Sequence, residues 1–194
     1  MRSTPPLAPA LPPSARRILV AGGSGSGKTT LARAIERHLG IPHTELDALH
    51  HGPGWSVAPD FEERVRALCA QAEWVCEWQY GAVRPLLAAH AEAVVWLDLP
   101  RRTVMRQVII RTVDRRLHRR VLWNGNREPP LWTILRHRDH IIRWAWRTHG
   151  KSADRIAQLR RTRPDLPIVR LRSQREVAAW QATLGEPPPG GATW

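Results

Sequence analysis

The sequence predicts an α/β fold, a five-stranded parallel sheet with helices on both faces, and three observations carry that prediction. Strand-like apolar runs alternate with segments of helical periodicity. The first strand runs directly into a glycine-rich turn that opens a helix. The run Ala93–Leu99 is apolar without alternation, as a strand covered on both faces is.

Each element has its own signal. Ile18–Ala21 is an apolar strand ending in glycines, and Thr29–Leu39 carries Leu31, Ala32, Ile35 and Leu39 at helical spacing before Gly40 stops it. His43–Leu46 reads as a short second strand. Pro59, Asp60 and an acidic first turn open a helix over Phe61–Ala72, and Trp74–Glu77 follows as strand three. Pro100 closes strand four at Ala93–Leu99. Beyond it the pattern predicts a basic helix from Arg101 to about Leu122, a Trp- and Arg-rich helix over Leu131–Thr148 and a third over Ser152–Arg163. Leu166–Leu171 makes strand five, and Ser173–Leu184 is a closing helix whose Ser173 and Glu176 form a capping box. Residues 1–15 and 185–194, rich in Pro or Gly with little to bury, read as disordered tails around a single domain over 16–184.

The turn after the first strand holds the chemistry. Gly22-Gly23-Ser24-Gly25-Ser26-Gly27-Lys28-Thr29 satisfies Gly-x-x-x-x-Gly-Lys-Ser/Thr in the strand–loop–helix context that the phosphate-binding P-loop requires. Glycine is needed because the loop wraps phosphates with inward-pointing N–H groups, which side chains would obstruct. The helix N-terminus adds attraction for anions. On this reading Gly22 to Thr30 bind ATP, Lys28 bridges the β- and γ-phosphates, and the Thr29 hydroxyl sits on Mg²⁺.

Composition excludes several other classes. The longest apolar runs are too short to span a bilayer, and the prolines at positions 5, 6, 9, 12 and 13 interrupt any signal-peptide core, so the expectation is a cytoplasmic protein without a membrane partner. Cys69 and Cys76 suit neither a disulfide framework nor a zinc cluster. The net charge of +13 is uneven: residues 101–172 hold 20 Lys and Arg against 5 Asp and Glu, while the remainder holds 10 against 12. Only Lys28 and Lys151 are lysine, an arginine bias that a GC-rich genome also produces, which weakens the inference to a nucleic-acid partner without removing it.

Beyond the loop, the chain resembles the adenylate-kinase-like P-loop kinases, and within them a bacterial branch named DNA topology modulation protein. The resemblance covers about Arg16 to Leu184 and rests on several segments besides the loop. These are Ile41-Pro42-His43 leading to Glu45-Leu46-Asp47-Ala48-Leu49-His50, then Pro53-Gly54-Trp55, Val94-Val95-Trp96-Leu97-Asp98-Leu99-Pro100, Leu122-Trp123-Asn124-Gly125-Asn126-Arg127-Glu128 and Val169-Arg170-Leu171-Arg172-Ser173. It implies a three-layer P-loop NTPase sandwich with strand order 2-3-1-4-5 and a helical, Arg-rich lid over about 111–128. Where the branch carries Asp-Gly-Asn-Tyr after strand three, this chain has Glu77-Trp78-Gln79-Tyr80.

The resemblance also implies roles. Asp47, at the end of strand two, corresponds to an aspartate that binds or deprotonates the acceptor hydroxyl in related small-molecule kinases; the alternative is a turn or helix-cap aspartate. Glu77 would hold Mg²⁺ through water. Arg111 and Arg115, with Arg116 and Arg120 on the same helical side, would reach the γ-phosphate from the lid, although most such arginines form a solvated face. Arg84, just after strand three, is either a clamp for an acceptor anion or a solvated helix arginine. Asp98 is assigned a structural role. Trp123, Trp132, Trp144 and Trp146 are expected in the core, the alternative being an aromatic and basic nucleic-acid surface.

The leading reading is therefore an ATP- and Mg²⁺-dependent phosphotransferase acting on a small-molecule or nucleotide acceptor whose identity, like the oligomeric state, is not legible. Its rivals are an ATP-binding, nucleic-acid-associated regulatory protein and a nucleotide-binding pseudoenzyme.

Overall fold

The computed structural model describes residues 8–52, 54, 56–117 and 141–185. Five strands, β1 (Arg17–Gly22), β2 (His43–Thr44), β3 (Trp74–Glu77), β4 (Ala93–Leu97) and β5 (Ile168–Leu171), form one sheet in the order β2-β3-β1-β4-β5. Every pairing is parallel, with Ile18 opposite both Val75 and Ala93 in the central three strands. The helices are α1 (Lys28–Leu39), α2 (Leu46–His50), α3 (Phe61–Cys69), α4 (Arg84–His90), α5 (Arg101–Leu117), α6 (Ile141–Thr148), α7 (Lys151–Thr162) and α8 (Gln174–Ala182). This is the three-layer P-loop sandwich that the sequence predicts.

The layers follow from the two-residue period of the strands. Leu19, Ala21, Trp74, Cys76 and Trp96 face one side, where Leu46, Phe61, Val65, Leu87, Ile156 and Leu159 from α2, α3, α4 and α7 cover them. Ile18, Val20, Val75, Val95 and Leu97 face the other, under Leu31, Ile35, Val108 and Trp180 from α1, α5 and α8. Both faces of β1, β3 and β4 are buried, which is why those strands read as unbroken apolar runs.

Several boundaries move. Strand two stops at Thr44 because Leu46 turns fully inward and its N–H reaches Glu77 Oε2 at 3.3 Å, so α2 starts where a strand end was expected. The helix expected over Phe61–Ala72 ends at Cys69, and α4 carried no signal of its own. From Ala8 the chain expected to be a tail lies against the body instead: Ala15 is buried, Leu11 packs on the core beneath α1, α5 and α8, and Pro9 O accepts the Trp180 Nε1–H at 3.3 Å. The physical cause is Trp180, whose buried indole N–H needs an acceptor. Trp144 and Trp146, expected in the core, are 44% and 54% exposed, with the Arg101 guanidinium 4.8 Å from the Trp146 ring centre. Trp123, Trp132 and residues 118–128 of the expected lid lie outside the described residues. No described helix is long and apolar enough to cross a membrane.

Candidate active site

The glycine loop spans the gap between β1 and α1 at the carboxyl end of the sheet. Gly25 and Gly27 have φ of 79° and 94°, the left-handed region that a side chain disfavours, and Gly27 is the N-cap of α1. A Cβ on Gly22 would stand 2.5 Å from Ser26 Oγ, so the loop closes this tightly only with glycine there. Lys28 Nζ donates to the Gly23 carbonyl at 3.0 Å, which draws the ammonium over its own loop. Burial pulls the Lys28 pKa below the ordinary lysine range, against the opposing charges of Glu77 and Asp47.

Next to this loop, strand three delivers Glu77. Glu77 is 2% exposed, and its carboxylate holds two hydrogen-bond partners, His43 Nε2 at 3.3 Å and the Leu46 N–H at 3.3 Å, with the Thr29 hydroxyl acting on it as well. Burial pushes its pKa up, but the hydrogen bond and charge from His43, with the Thr29 bond, outweigh burial and leave it below the ordinary value. His43, also almost fully buried at 3% side-chain exposure, is a functional candidate that sequence reading missed. Its signal was a polar ring in a strand whose neighbour on the sheet ends in a carboxylate.

Asp47 lies in the first turn of α2 rather than at a strand end, and Glu45 is that helix's N-cap, so capping does not account for Asp47. Instead its Oδ1 accepts two hydrogen bonds, from Gln79 Nε2 at 2.7 Å and from the Tyr80 hydroxyl at 2.5 Å. The segment after strand three thus reaches back to Asp47. Trp78, bulky where the branch has glycine, is accommodated beneath the start of α4, 9% exposed with its Nε1–H on the Arg84 carbonyl at 3.1 Å.

The cations complete the site. Arg84 opens α4 half-buried, and burial followed by the nearby charge of Arg155 lowers its pKa. Arg155, on α7 next to the buried Ile156, acts on Lys28 as well, as does Arg111 of α5. Neither Arg84 nor Arg155 has an ion-pair partner among the described residues. Arg155 was not singled out from sequence because one arginine among many on α7 carries no local signal. The Arg115 side chain lies outside what the structure describes. Asp98 takes Arg170 Nε at 2.8 Å and Nη2 at 2.5 Å, the structural role expected of it.

The residues present fit a magnesium nucleotide. Ser26 Oγ is buried in the loop without a hydrogen-bond partner among the described residues, the kind of orphaned donor that a phosphate oxygen satisfies. The Thr29 hydroxyl and the Glu77 carboxylate are oxygen donors of the hard type that Mg²⁺ takes. Away from this site, no described group of His, Cys, Asp and Glu has the makings of a metal cluster.

No family model matches the chain, and no curated protein does. Solved structures match over nearly their whole length. A shikimate kinase from Acinetobacter baumannii, in complex with shikimate, aligns with TM-score 0.52 and 17% identity over 88% of this chain and 92% of its own. A gluconokinase from Sinorhizobium meliloti 1021 aligns with TM-score 0.45 and 21% identity over 89% and 94%. The shikimate kinase match, together with the strand order, defines the class: the chain has the P-loop kinase fold.

Proposed function

We propose that this chain is an ATP- and Mg²⁺-dependent phosphotransferase that phosphorylates a hydroxyl of a small acceptor bearing an anionic group. The observation that carries the reading is the convergence of Lys28, Thr29, Glu77 and Asp47 at the carboxyl end of the sheet, where the charges of both Glu77 and Asp47 act on Lys28. Gly22 to Thr30 hold the triphosphate through backbone N–H groups, with Lys28 and the Ser26 hydroxyl on its oxygens. Thr29 would hold Mg²⁺, with Glu77 reaching it through water, and the ion would supply neutralisation of phosphate charge. Asp47 orients the acceptor hydroxyl and takes its proton as the oxygen attacks the γ-phosphorus, while the bond from that phosphorus to the bridging oxygen breaks and ADP leaves. Arg111 neutralises charge on the transferring phosphoryl group from α5, and Arg115 completes the lid. Arg84, joined by Arg155, holds the acceptor's anionic group, because two neighbouring guanidinium groups without an ion-pair partner among the described residues call for a counter-charge.

The kinase fold of a matched structure supports this reading over the nucleic-acid-associated one. The packing of Trp78 under α4 counts against the pseudoenzyme, since the bulky residue is accounted for in the core. The resemblance to the DNA topology modulation branch adds a bacterial family without naming its acceptor. The test is a screen of nucleosides, nucleoside monophosphates and carboxylated polyols with Mg-ATP, following ADP release and the phosphorylated product by mass. Shikimate, bound in the matched structure, belongs in that panel. Transfer to an anionic acceptor is expected; ADP release unchanged by every compound would overturn the proposal.

A further inference from the structure

Both hydrogen bonds that Asp47 receives land on one oxygen, Oδ1. The donors are consecutive residues, Gln79 and Tyr80, that follow Glu77 at the end of β3. Successive side chains of an extended strand point to opposite faces, so for two of them to meet the same atom the backbone must leave the extended conformation at that pair. It does so at Tyr80, whose φ of 59° is the sole left-handed non-glycine value among the described residues.

The Tyr80 ring is held from its other sides. His50 stacks on it at 3.9 Å with planes 11° apart, and Phe61 meets it edge-on at 5.3 Å. His51 Nε2 lies 3.2 Å from the hydroxyl, so the phenol oxygen accepts from His51 while donating to Asp47. Helices α2 and α3 and the end of β3 thus clamp one phenol in a single orientation.

We propose that Gln79 and Tyr80 are positioning residues that saturate Asp47 Oδ1 and dedicate Oδ2 to the acceptor hydroxyl. The proposal rests on the phosphotransferase reading for the word acceptor, and on the geometry alone for the rest. A carboxylate free to rotate presents either oxygen to a substrate; one whose Oδ1 is fixed by two donors presents only the other, in a fixed plane. It also explains the local departure from the branch pattern. The amide at Gln79, one methylene longer than the Asn expected there, still reaches Asp47, because Trp78 is drawn under α4 by its bond to the Arg84 carbonyl.

The experiment has two arms. Tyr80 is the only tyrosine in the sequence, so tyrosinate absorbance near 295 nm reports this group alone. Burial first, then the charge and hydrogen bond of Asp47, push its ionisation far above the ordinary phenol value. The wild type is expected to show no tyrosinate at pH 11 while circular dichroism reports a folded chain, and Asp47→Asn is expected to begin ionising at a lower pH than the wild type. Ordinary phenol ionisation in the folded wild type would overturn the clamp. The second arm measures ADP release from Mg-ATP, with water and with any acceptor found, for wild type, Tyr80→Phe, Asp47→Asn and the double variant. Tyr80→Phe keeps the stacked ring and is expected to lower kcat at least tenfold with the KM for ATP unchanged. In the double variant it should add nothing to Asp47→Asn, because its effect passes through that carboxylate. Wild-type kcat in Tyr80→Phe, or full additivity, would overturn the positioning role. A wild type without turnover but with the titration difference would remove the kinase reading and the positioning role together, leaving the phenol–carboxylate pair as structure only.

Discussion

At the scale of single residues, hydrogen bonds fix the charged groups of this site and leave specific atoms available. Lys28 → Ala removes the ammonium that Gly23 O holds over the loop while touching little of the core. It is expected to weaken ATP binding at least tenfold by titration calorimetry, with the circular dichroism spectrum unchanged. Glu77→Gln keeps the shape of a side chain wedged between Thr29, His43 and the Leu46 N–H but removes its charge. The Mg²⁺ concentration for half-maximal ADP release should rise about tenfold, as when a group orienting a metal site is lost. Its pH behaviour has a definite sign. The folded carboxyl ionises below the ordinary glutamate value of 4.5, so its contribution to stability is present above that value and lost as pH falls through the folded pKa. Acid unfolding followed by circular dichroism should therefore be shallower below pH 4.5 in Glu77→Gln than in the wild type.

At the scale of elements, the closing helix α8 illustrates how local signals and packing combine. Ser173 is its N-cap, with Oγ accepting the Glu176 N–H at 3.1 Å and the Glu176 carboxylate reaching back to Arg172 N at 2.8 Å. Ser173→Ala is expected to cost about 1 kcal/mol in urea unfolding, the usual worth of such a cap. That cap was readable because Ser-x-x-Glu is a local pattern. So were β1, β3, β4 and the glycine loop, whose residues announce themselves within a few positions of one another. By contrast α2 and α4 are five and seven residues long, too short for periodicity to register. Asp47 and Glu77 were singled out through resemblance, yet the atoms that hold them were not. His43 lies 34 residues from Glu77, and Tyr80 lies 33 from Asp47. Such partners meet only once β2, β3 and α2 are folded together, so no window along the chain contains them. The Ala8–Ala15 segment escaped for the same reason, because its partner Trp180 stands 171 residues from Pro9.

At the scale of the whole molecule, the question is what the concentrated positive charge of residues 101–172 does. Arg101, Arg102, Arg106, Arg143 and Arg147 are exposed along α5 and α6, whereas Arg111, on the same helix as the first three, is half-buried and acts on Lys28. Two functions are thus physically separable on one surface. Exposed arginines attract any polyanion, and that attraction falls steeply with salt because it rests on counterion release. An arginine beside the phosphate loop acts on one triphosphate in a partly desolvated site, where charge developing in the transition state is worth more than in water. Arg111→Ala should therefore lower ADP release from Mg-ATP at least tenfold, while retention of duplex DNA at low salt stays as in the wild type and vanishes for both near physiological salt. Filter retention across a salt series, run beside the ADP assay on the same two proteins, checks both halves. The opposite result, with unchanged ATP turnover and a loss of DNA binding that had persisted at physiological salt, would place Arg111 on a nucleic-acid surface and shift the function of the basic segment away from the triphosphate.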